Sequence, residues 1–226
     1  MLKANKTRWF EKIFAVYNRN LFKRRFHSIN VSGLDYLKNS DDKIPLIIYA
    51  NHSGWWDGLL IFEICRRANR DFYVLMEEKQ LKTFPLFRRI GAFSVVRESP
   101  REAVKSINYA VELLKKNPSK PLLIFPQGEI QPNDLRPLKF FNGLSRIVEK
   151  LGECSVVSTA IRYEFLKEFK PEIFVNIEEV EKMSGESDSK TLTPILAEKL
   201  TANLDKLKSN ITTKKFADFT NIFRRK

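Results

Sequence analysis

The chain has 226 residues, 43% of them hydrophobic, with 8 glycines and 10 prolines. This composition is typical of one globular domain with a substantial core, and it excludes disordered and fibrous proteins. Forty lysines and arginines against 27 acidic residues give a formal charge of +13, which favours an anionic partner: a lipid surface, a nucleic acid or a phosphate-bearing substrate.

The apolar runs are short. The longest, such as IPLIIYA and PLLIFP, stop well below the roughly 18 residues of a membrane-spanning helix, and the first twenty residues mix charges with apolar side chains, unlike a secretory signal. Cys65 and Cys154 stand far apart with no CxxC pairing, which indicates neither a disulfide framework nor a zinc site. We therefore expect a protein of the cytoplasm.

The first predicted element is a helix from about Thr7 to Phe26. Its apolar residues recur at spacings of three and four, opposite basic residues, so the helix is basic and amphipathic. It packs on the domain that follows, lies in a membrane interface with its aromatic face down, or does both. The apolar positions of this stripe are Trp9, Phe10, Ile13, Phe14, Tyr17 and Leu21.

Short apolar runs then alternate with amphipathic helices. This alternation predicts an α/β fold with a mixed, mostly parallel central sheet flanked by helices. One helix start is well marked, since Ser99 precedes Pro100 and Glu102 follows at the capping-box position. The predicted strands cover residues 43–50, 71–76, 92–96, 121–126, 154–163 and 172–178, and the predicted helices cover residues 57–68, 80–90, 100–116, 140–151 and 193–207.

The end of the chain is less regular. The polar stretch from Lys182 to Pro194 contains a glycine and is typical of a surface loop. In the tail, from Thr212 to Lys226, the residues Phe216, Phe219 and Phe223 share one helical stripe among basic residues. We expect this tail helix to dock against the domain or to contact a membrane.

The stretch NHSGWWDG, residues 51–58, follows a predicted buried strand. His52 and Asp57 cannot meet on regular structure, because five steps leave them roughly 140° apart on a helix and on opposite faces of a strand. Ser53 and Gly54 permit a sharp turn before a helix that begins near Asp57. A histidine held by a carboxylate at a strand end can act as a general base; alternatively, Asp57 only caps the helix and His52 is an ordinary loop residue.

Four stretches resemble, in order and spacing, the motif blocks of the glycerolipid acyltransferase family, which includes the 1-acylglycerol-3-phosphate acyltransferases. Residues 51–58 are similar to its NHxxxxD signature. IFPQGEI, residues 124–130, is similar to the third block, usually FPEGTR, and VVSTAIRY, residues 156–163, to the fourth. In the second block, residues 79–98, the matching positions are Lys79, Leu81, Pro85, Gly91 and Arg97.

The resemblance implies transfer of a fatty acyl group from acyl-CoA or acyl carrier protein to a hydroxyl of a lipid acceptor, without a metal or a bound cofactor. His52 would be the general base and Asp57 would hold its tautomer. Residues 1–30 would form a membrane-contacting helix, and residues 31–226 the acyltransferase domain. The implied location is peripheral, at the cytoplasmic face of the cell membrane, where basic residues contact anionic lipids.

The resemblance also implies roles for residues around the two motif residues. Arg97 would pair with an anionic group of a substrate, and the backbone of Pro126, Gln127 and Gly128 would offer N–H groups to the oxyanion. Asn51 and Lys79 complete the implied substrate-binding set. The residues expected to line an acyl channel or face the bilayer are Trp55, Trp56, Phe84 and Phe87, with ordinary packing as the alternative for the tryptophans.

The third block departs from the family pattern. It carries Gln127, Glu129 and Ile130 where the family has Glu, Thr and Arg, and the pattern associates that arginine with the phosphate of the acceptor. Either another cation compensates or the acceptor is not a lysophosphatidate, for example a glycolipid hydroxyl. The basic residues considered as replacements are Arg97, Arg136 and Lys139.

Two other functions compete with this one. A catalytically silent relative that binds lipid would explain the altered third block, although the intact Asn51, His52 and Asp57 favour an enzyme. Nucleic-acid binding would explain the charge, but the sequence has no helix-turn-helix, zinc-finger or RNA-recognition signature. We therefore expect no nucleic-acid partner.

Overall fold

A mixed, mostly parallel sheet organises the chain, and the computed structural model describes residues 1–184 and 188–223 of it. Its strands follow the order β4-β3-β5-β2-β6-β7-β1-β9, and β8 pairs with the beginning of β6. The strands are β1 (Ser28–Ser32), β2 (Leu46–Ala50), β3 (Tyr73–Glu77), β4 (Ala92–Val95), β5 (Leu122–Ile124), β6 (Cys154–Glu164), β7 (Glu172–Ile177), β8 (Glu181–Met183) and β9 (Thr220–Asn221).

The five strands from β4 to β6 run parallel to their neighbours, and the direction first changes between β6 and β7. All five residues of β2 are buried, as expected for a parallel strand that is covered on both faces. The helices are α1 (Arg8–Arg25), α2 (Leu34–Lys38), α3 (Asp57–Arg67), α4 (Glu78–Thr83), α5 (Pro100–Lys116), α6 (Gly143–Leu151) and α7 (Ser189–Thr212).

The core has two layers, one on each face of the sheet. Along β2, Ile48 and Ala50 face the layer of α1 and α3, while Ile47 and Tyr49 face the layer of α5, α6 and α7. This alternation follows from the two-residue period of a strand. The α/β class with a mixed, mostly parallel sheet is therefore confirmed.

The N-terminal helix is also confirmed, but its packed face differs from the predicted stripe. Phe14 and Phe22 are buried against the domain, whereas Trp9, Ile13 and Tyr17 are exposed. The helix carries two apolar stripes, and the pattern of apolar residues alone does not show which one meets α3. No helix within the described ranges is both long and apolar enough to cross a membrane.

The predicted helix at residues 80–90 is in fact two elements. α4 ends at Thr83, and a separate 3₁₀ helix, Pro85–Ile90, follows. Proline has no N–H for the helical ladder and disfavours a helical conformation in the residue before it, so the helix breaks at Phe84. Both elements lie beside β4 and help to form the site described below.

Predictions for the end of the chain were partly wrong. α7 already begins at Ser189 and contains Pro194, so the predicted loop is shorter; residues 185–187 of it lie outside the described residues. The tail forms turns and β9 rather than a helix, up to the last described residue, 223. Its phenylalanines do dock: Phe216 and Phe219 pack on Phe174, and Phe223 lies 6.2 Å from Phe22.

The sequence patterns missed four short elements, namely β1, α2, β8 and β9. Each has five residues or fewer, too few for a periodic signal. β1 pairs with β7 in the central sheet, so the predicted boundary between residues 30 and 31 falls inside a strand. The residues on both sides of that boundary share one sheet.

Candidate active site

The site lies where β2, β4, β5 and β6 reach their carboxyl ends. Because these strands run parallel, the segments that follow β2, β4 and β5 emerge at one edge of the sheet. The segment after β2 carries His52, the segment after β4 carries Arg97, and the segment after β5 carries Gly128. The end of β6 adds Tyr163 to the same edge.

His52 and Asp57 are in direct contact. The imidazole Nδ1 lies 2.8 Å from Asp57 Oδ2, and the carboxylate is fully buried. The same oxygen accepts from the backbone N–H groups of Ser53 at 2.7 Å and Gly54 at 2.9 Å. The sharp turn predicted from the spacing is therefore present, and α3 begins at Asp57.

Tyr163 completes the surroundings of the carboxylate. Its hydroxyl donates to Asp57 Oδ1 at 2.5 Å. Burial, together with the negative charge of Asp57, raises the pKa of the Tyr163 phenol well above its usual value, so the hydroxyl stays protonated and remains a donor. Asp57 is thus oriented from both of its oxygens.

The imidazole ring is fixed in position as well as in tautomer. It stacks on the Phe125 ring with 4.4 Å between centroids and 19° between planes. The carboxylate accepts from Nδ1–H, so in the neutral ring Nε2 is the nitrogen without a proton. The side chain of His52 is 18% exposed and lines a cavity. This arrangement would allow the ring to act as a general base toward a ligand in the cavity.

The segment after β5 braces the histidine backbone. Gln127 Oε1 accepts from the His52 N–H at 2.7 Å, and the Gln131 N–H donates to the His52 carbonyl at 2.8 Å. Gln127 Nε2 in turn donates to Gln131 Oε1. The side chain of Gln127 is therefore buried and used in this network, and a contact of Gln127 with a substrate would have to come from its backbone.

The backbone predicted to serve an oxyanion offers fewer donors than expected. Pro126 has no N–H, and the Gly128 N–H donates to the Phe125 carbonyl at 3.0 Å. Within the described part of the chain, the Gln127 N–H is the remaining donor of these three residues without a hydrogen-bond partner. Gln127 itself is buried and is not among the residues that line the cavity beside His52.

Asn51 serves the framework. Its Oδ1 accepts from the Ile161 N–H at 2.8 Å, and its Nδ2 donates to the Ile161 carbonyl at 2.9 Å and to Asn133 Oδ1 at 2.8 Å. It is buried between β6 and the segment that follows β5. Asn51 therefore ties the strand before His52 to its neighbours and does not line the cavity.

The cavity beside His52 has a volume of about 330 Å³ and is called the cleft below. Its wall is mostly apolar and comes from α3, β3, β4, the 3₁₀ helix and the segment after β5. Trp55, Phe84 and Phe87 line it, and their place in an acyl channel stays a prediction. Trp56 does not: it packs edge-on against Phe22 and Phe26 beneath α1, which is the ordinary packing alternative.

The two predicted cationic site residues are separated. Arg97 lines the cleft, where its Nη2 lies 3.5 Å from Glu77 Oε1 and its guanidinium lies 5.4 Å from the Phe141 ring. Lys79 is 81% exposed, pairs with Glu98 at 3.5 Å and does not line the cleft. A role for Lys79 in substrate binding remains a prediction.

Gly128 has a specific steric role beside Arg97. Its φ of +73° is in the left-handed region, and a Cβ there would lie 2.6 Å from Arg97 Nη1 and 2.8 Å from the Phe141 ring. The missing side chain lets the guanidinium lie against the backbone at the edge of the cleft.

Sequence reasoning missed several residues of the site. Tyr163 ends the fourth motif block, and its position at the end of a strand beside β2 is the signal that could have revealed it. Phe125 directly follows β5 and was hidden in an apolar run. Glu77 and Phe141 gave no signal, because their place depends on packing between distant segments. The remaining residues missed are Gln131 and Asn133.

A family model described as Acyltransferase matches residues 28–162, more than half of the chain. The chain therefore belongs to the acyltransferase family and is an acyltransferase. Among solved structures it is similar to the crystal structure of the 1-acyl-sn-glycerophosphate (LPA) acyltransferase, PlsC, from Thermotoga maritima, with 20% identity and a TM-score of 0.66. That similarity covers 88% of this chain and 79% of the other, and shows a shared fold. A search of curated proteins gave no match.

Proposed function

We propose that this acyltransferase moves a fatty acyl group from an acyl thioester to the hydroxyl of a lipid acceptor, with His52 as general base. The observation that carries the proposal is the 2.8 Å contact between His52 Nδ1 and the buried Asp57, beside an apolar cleft. A base held in one tautomer next to space for an acyl chain is what this reaction requires.

In the proposed reaction, the acyl chain lies among the apolar side chains of the cleft, and its thioester carbonyl lies near His52. Nε2 removes the proton of the acceptor hydroxyl while the hydroxyl oxygen bonds to the carbonyl carbon. The C–S bond then breaks, the electron pair stays on sulfur, and the imidazolium gives the proton to the thiolate. Asp57 stabilises the imidazolium between the two transfers.

The donor is acyl-CoA or acyl carrier protein, and the reaction needs neither a metal nor a bound cofactor. The acceptor is a lipid alcohol. The PlsC relative, named for 1-acyl-sn-glycerophosphate, makes a lysophosphatidate one candidate. An alcohol without phosphate, such as a glycolipid hydroxyl, is the other candidate.

We further propose that the reaction takes place at a membrane surface, on its cytoplasmic face. A chain of ring contacts supports this proposal, because it joins α1 to the cleft through Phe14, Phe87, Phe84 and Trp55. The β6–β7 loop adds an exposed Phe169 near basic residues. The exposed apolar residues of α1 and of the cleft edge are Trp9, Ile13, Val16, Tyr17, Trp55, Phe84 and Leu86.

The test of the reaction is thiol release from oleoyl-CoA and oleoyl-carrier protein, with and without a panel of lipid alcohols, and with mass spectrometry of the lipids. We expect thiol release that requires a lipid alcohol and yields an acylated lipid, and loss of both in His52→Ala. No product from folded wild-type protein with any lipid alcohol would contradict the proposal. Vesicle binding without turnover would instead identify a silent lipid-binding relative.

The test of the membrane proposal is flotation with vesicles that contain anionic lipids. Trp9→Ser and Ile13→Ser should weaken binding by about tenfold together, since each removes apolar area from the interface. Val104→Ser and Ile195→Ser are matched controls, because they are exposed apolar residues of α5 and α7 on the other face of the sheet. Equal effects of both pairs would contradict the proposed orientation.

A further inference from the structure

The charges around the cleft bear on the head group of the acceptor, given the proposed acyl transfer. Ile130 lines the cleft at the third-block position where the resemblance places an arginine, and half of its surface is exposed. An aliphatic side chain donates no hydrogen bond to an anion, so any phosphate would have to be neutralised by another residue.

Three basic residues were considered as replacements for the missing arginine of the third block, and only one of them lines the cleft. Arg136 is committed elsewhere: its Nη2 pairs with Asp205 at 2.5 Å, and its Nη1 donates to the carbonyls of Asn133 and Leu135. Lys139 is exposed and does not line the cleft. Among the described residues that line the cleft, Arg97 is the one cation.

The charge of Arg97 is already balanced. Glu77, which also lines the cleft, lies 3.5 Å from its guanidinium, and the side chains of this pair are only 29% and 21% exposed. The guanidinium also lies against the Phe141 ring and the Gly128 backbone, which restricts its movement. The lining of the cleft therefore carries no net positive charge, although the whole chain has a formal charge of +13.

A phosphate monoester carries about −1.5 to −2 charges at neutral pH. To bind in the cleft, the phosphate would have to compete with Glu77 for the guanidinium of Arg97. It would then lie close to the negative charge of the Glu77 carboxylate. An uncharged polyol meets no such conflict, because each hydroxyl both donates to Glu77 and accepts from Arg97. Gln80, also in the lining, offers a further donor and acceptor.

We propose that the acceptor is a lipid alcohol with an uncharged polyol head group, a glyceride or a glycoside, recognised by the Arg97–Glu77 pair. The choice of acceptor then depends on a cleft whose lining has no net charge, within a protein whose overall charge is positive. The positive surface attracts anionic lipids in general, whereas the cleft selects a hydroxyl that carries no phosphate beside it. The proposal rests on the proposed acyl transfer and specifies its acceptor.

The test compares 1-oleoylglycerol with 1-oleoylglycerol-3-phosphate, which share one acyl chain, with an alkyl glucoside as a third acceptor. All are presented in micelles of an uncharged detergent at about 0.15 M salt, so that the surface charge of the protein does not concentrate the anionic acceptor. We expect kcat/KM to favour at least one uncharged acceptor over the phosphate by about tenfold or more.

Two variants test the cause of that preference. Ile130→Arg should shift the acceptor ratio toward the phosphate by about tenfold, because it adds a fork of donors at the edge of the cleft. Ile130→Gln is its uncharged control and should shift the ratio less. Glu77→Gln should shift the ratio in the same direction as Ile130→Arg, since it leaves Arg97 without a competing carboxylate.

The outcomes separate this inference from the proposed function. If wild-type protein acylates the phosphate acceptor as fast as the uncharged ones or faster, the inference is overturned while acyl transfer stands. If folded protein acylates none of the three acceptors but does acylate another lipid alcohol of the panel, the inference alone is overturned; no product with any lipid alcohol would overturn both. A preference for an uncharged acceptor that Glu77→Gln and Ile130→Arg leave unchanged would also overturn the inference, because the cleft charges would then not be its cause.

Discussion

Two regions of the site are held in place by different kinds of interaction. The floor is His52 with Asp57 and Tyr163 behind it, and the mouth is the exposed edge of the cleft at Trp55, Ile130 and Phe141. At the floor, the two oxygens of the buried Asp57 accept from an imidazole, a tyrosine hydroxyl and two backbone N–H groups. At the mouth, Trp55, Ile130 and Phe141 are 51%, 50% and 56% exposed, although they also line the cleft. One region is fixed by directional bonds, and the other by a few apolar contacts.

Under the proposed mechanism, this difference would separate the residues that carry the chemistry from those that select the lipid. A change at the floor alters the geometry of the base and should mainly lower kcat. A change at the mouth alters what touches the lipid and should mainly change KM or the preferred acceptor, with little cost in stability. The following predictions test that division, beginning with the floor.

Asp57→Asn should have the largest effect. The amide can donate to Nδ1 of His52, which would place the proton on Nε2 and remove the base, so we expect kcat to fall by about 10²–10⁴. Thiol release from acyl-CoA measures this fall, with His52→Ala as the reference. Activity within a few-fold of wild type would show that the dyad does not carry the chemistry.

Tyr163→Phe should have a smaller effect at the same floor. It removes the 2.5 Å hydrogen bond to Asp57 Oδ1 but keeps the ring, so we expect kcat to fall by about tenfold. Because Tyr163 does not line the cleft, KM for the acyl donor should stay within about twofold. A rise in KM with unchanged kcat would contradict its role as a positioning residue.

At the floor, the pair of His52 and Asp57 was predictable from the sequence, whereas Tyr163 was not; at the mouth, Trp55 was predicted, whereas Phe141 was not. The pairing of His52 with Asp57 follows from their spacing, because both sit around one sharp turn of the backbone. Tyr163 and Glu77 come from strands far along the chain, and their positions depend on sheet order. Sheet order is a tertiary property that the local pattern of apolar residues does not determine.

The same distinction holds for the fold. Long periodic segments were predicted closely: α5 begins at Pro100 and ends at Lys116, as its capping residues and apolar spacing indicate. The tail was wrong because the spacing of Phe216, Phe219 and Phe223 fits a helix, yet a pairing with β1 fixes residues 220–221 as a strand. Such a non-local contact overrides a weak local preference.

Trp55→Ala tests the mouth. The indole is half exposed and contacts Trp56 and Phe84 edge-on, so its loss should change the free energy of unfolding by less than about 1 kcal/mol. KM for the lipid acceptor should rise by about three- to tenfold, while kcat changes little. Urea unfolding and steady-state kinetics check the two parts. A large fall in kcat would break the division between floor and mouth.

Asp134→Asn should have the smallest effect on stability and activity. It tests the segment after β5, which lies between the floor and the mouth. Asp134 accepts from Arg162 of β6 at 3.0 Å and from Lys208 at 3.1 Å, and these cations lower the pKa of its carboxyl to about 2. The folded state therefore favours the ionised carboxylate, so the stabilisation is complete above the usual pKa of 3.8 and is lost as the pH falls toward 2.

The side chain of Asp134 is 55% exposed, so solvent screens the pair and the variant should lose less than about 1 kcal/mol at pH 7. Urea unfolding of both proteins between pH 7 and pH 3 measures the difference, which should shrink as the pH falls below 4. A difference that stays constant with pH would assign the loss to something other than the carboxylate charge. A fall in kcat without loss of stability would show that the floor depends on this ion pair, through the hydrogen bond from Asn51 to Asn133 beside it.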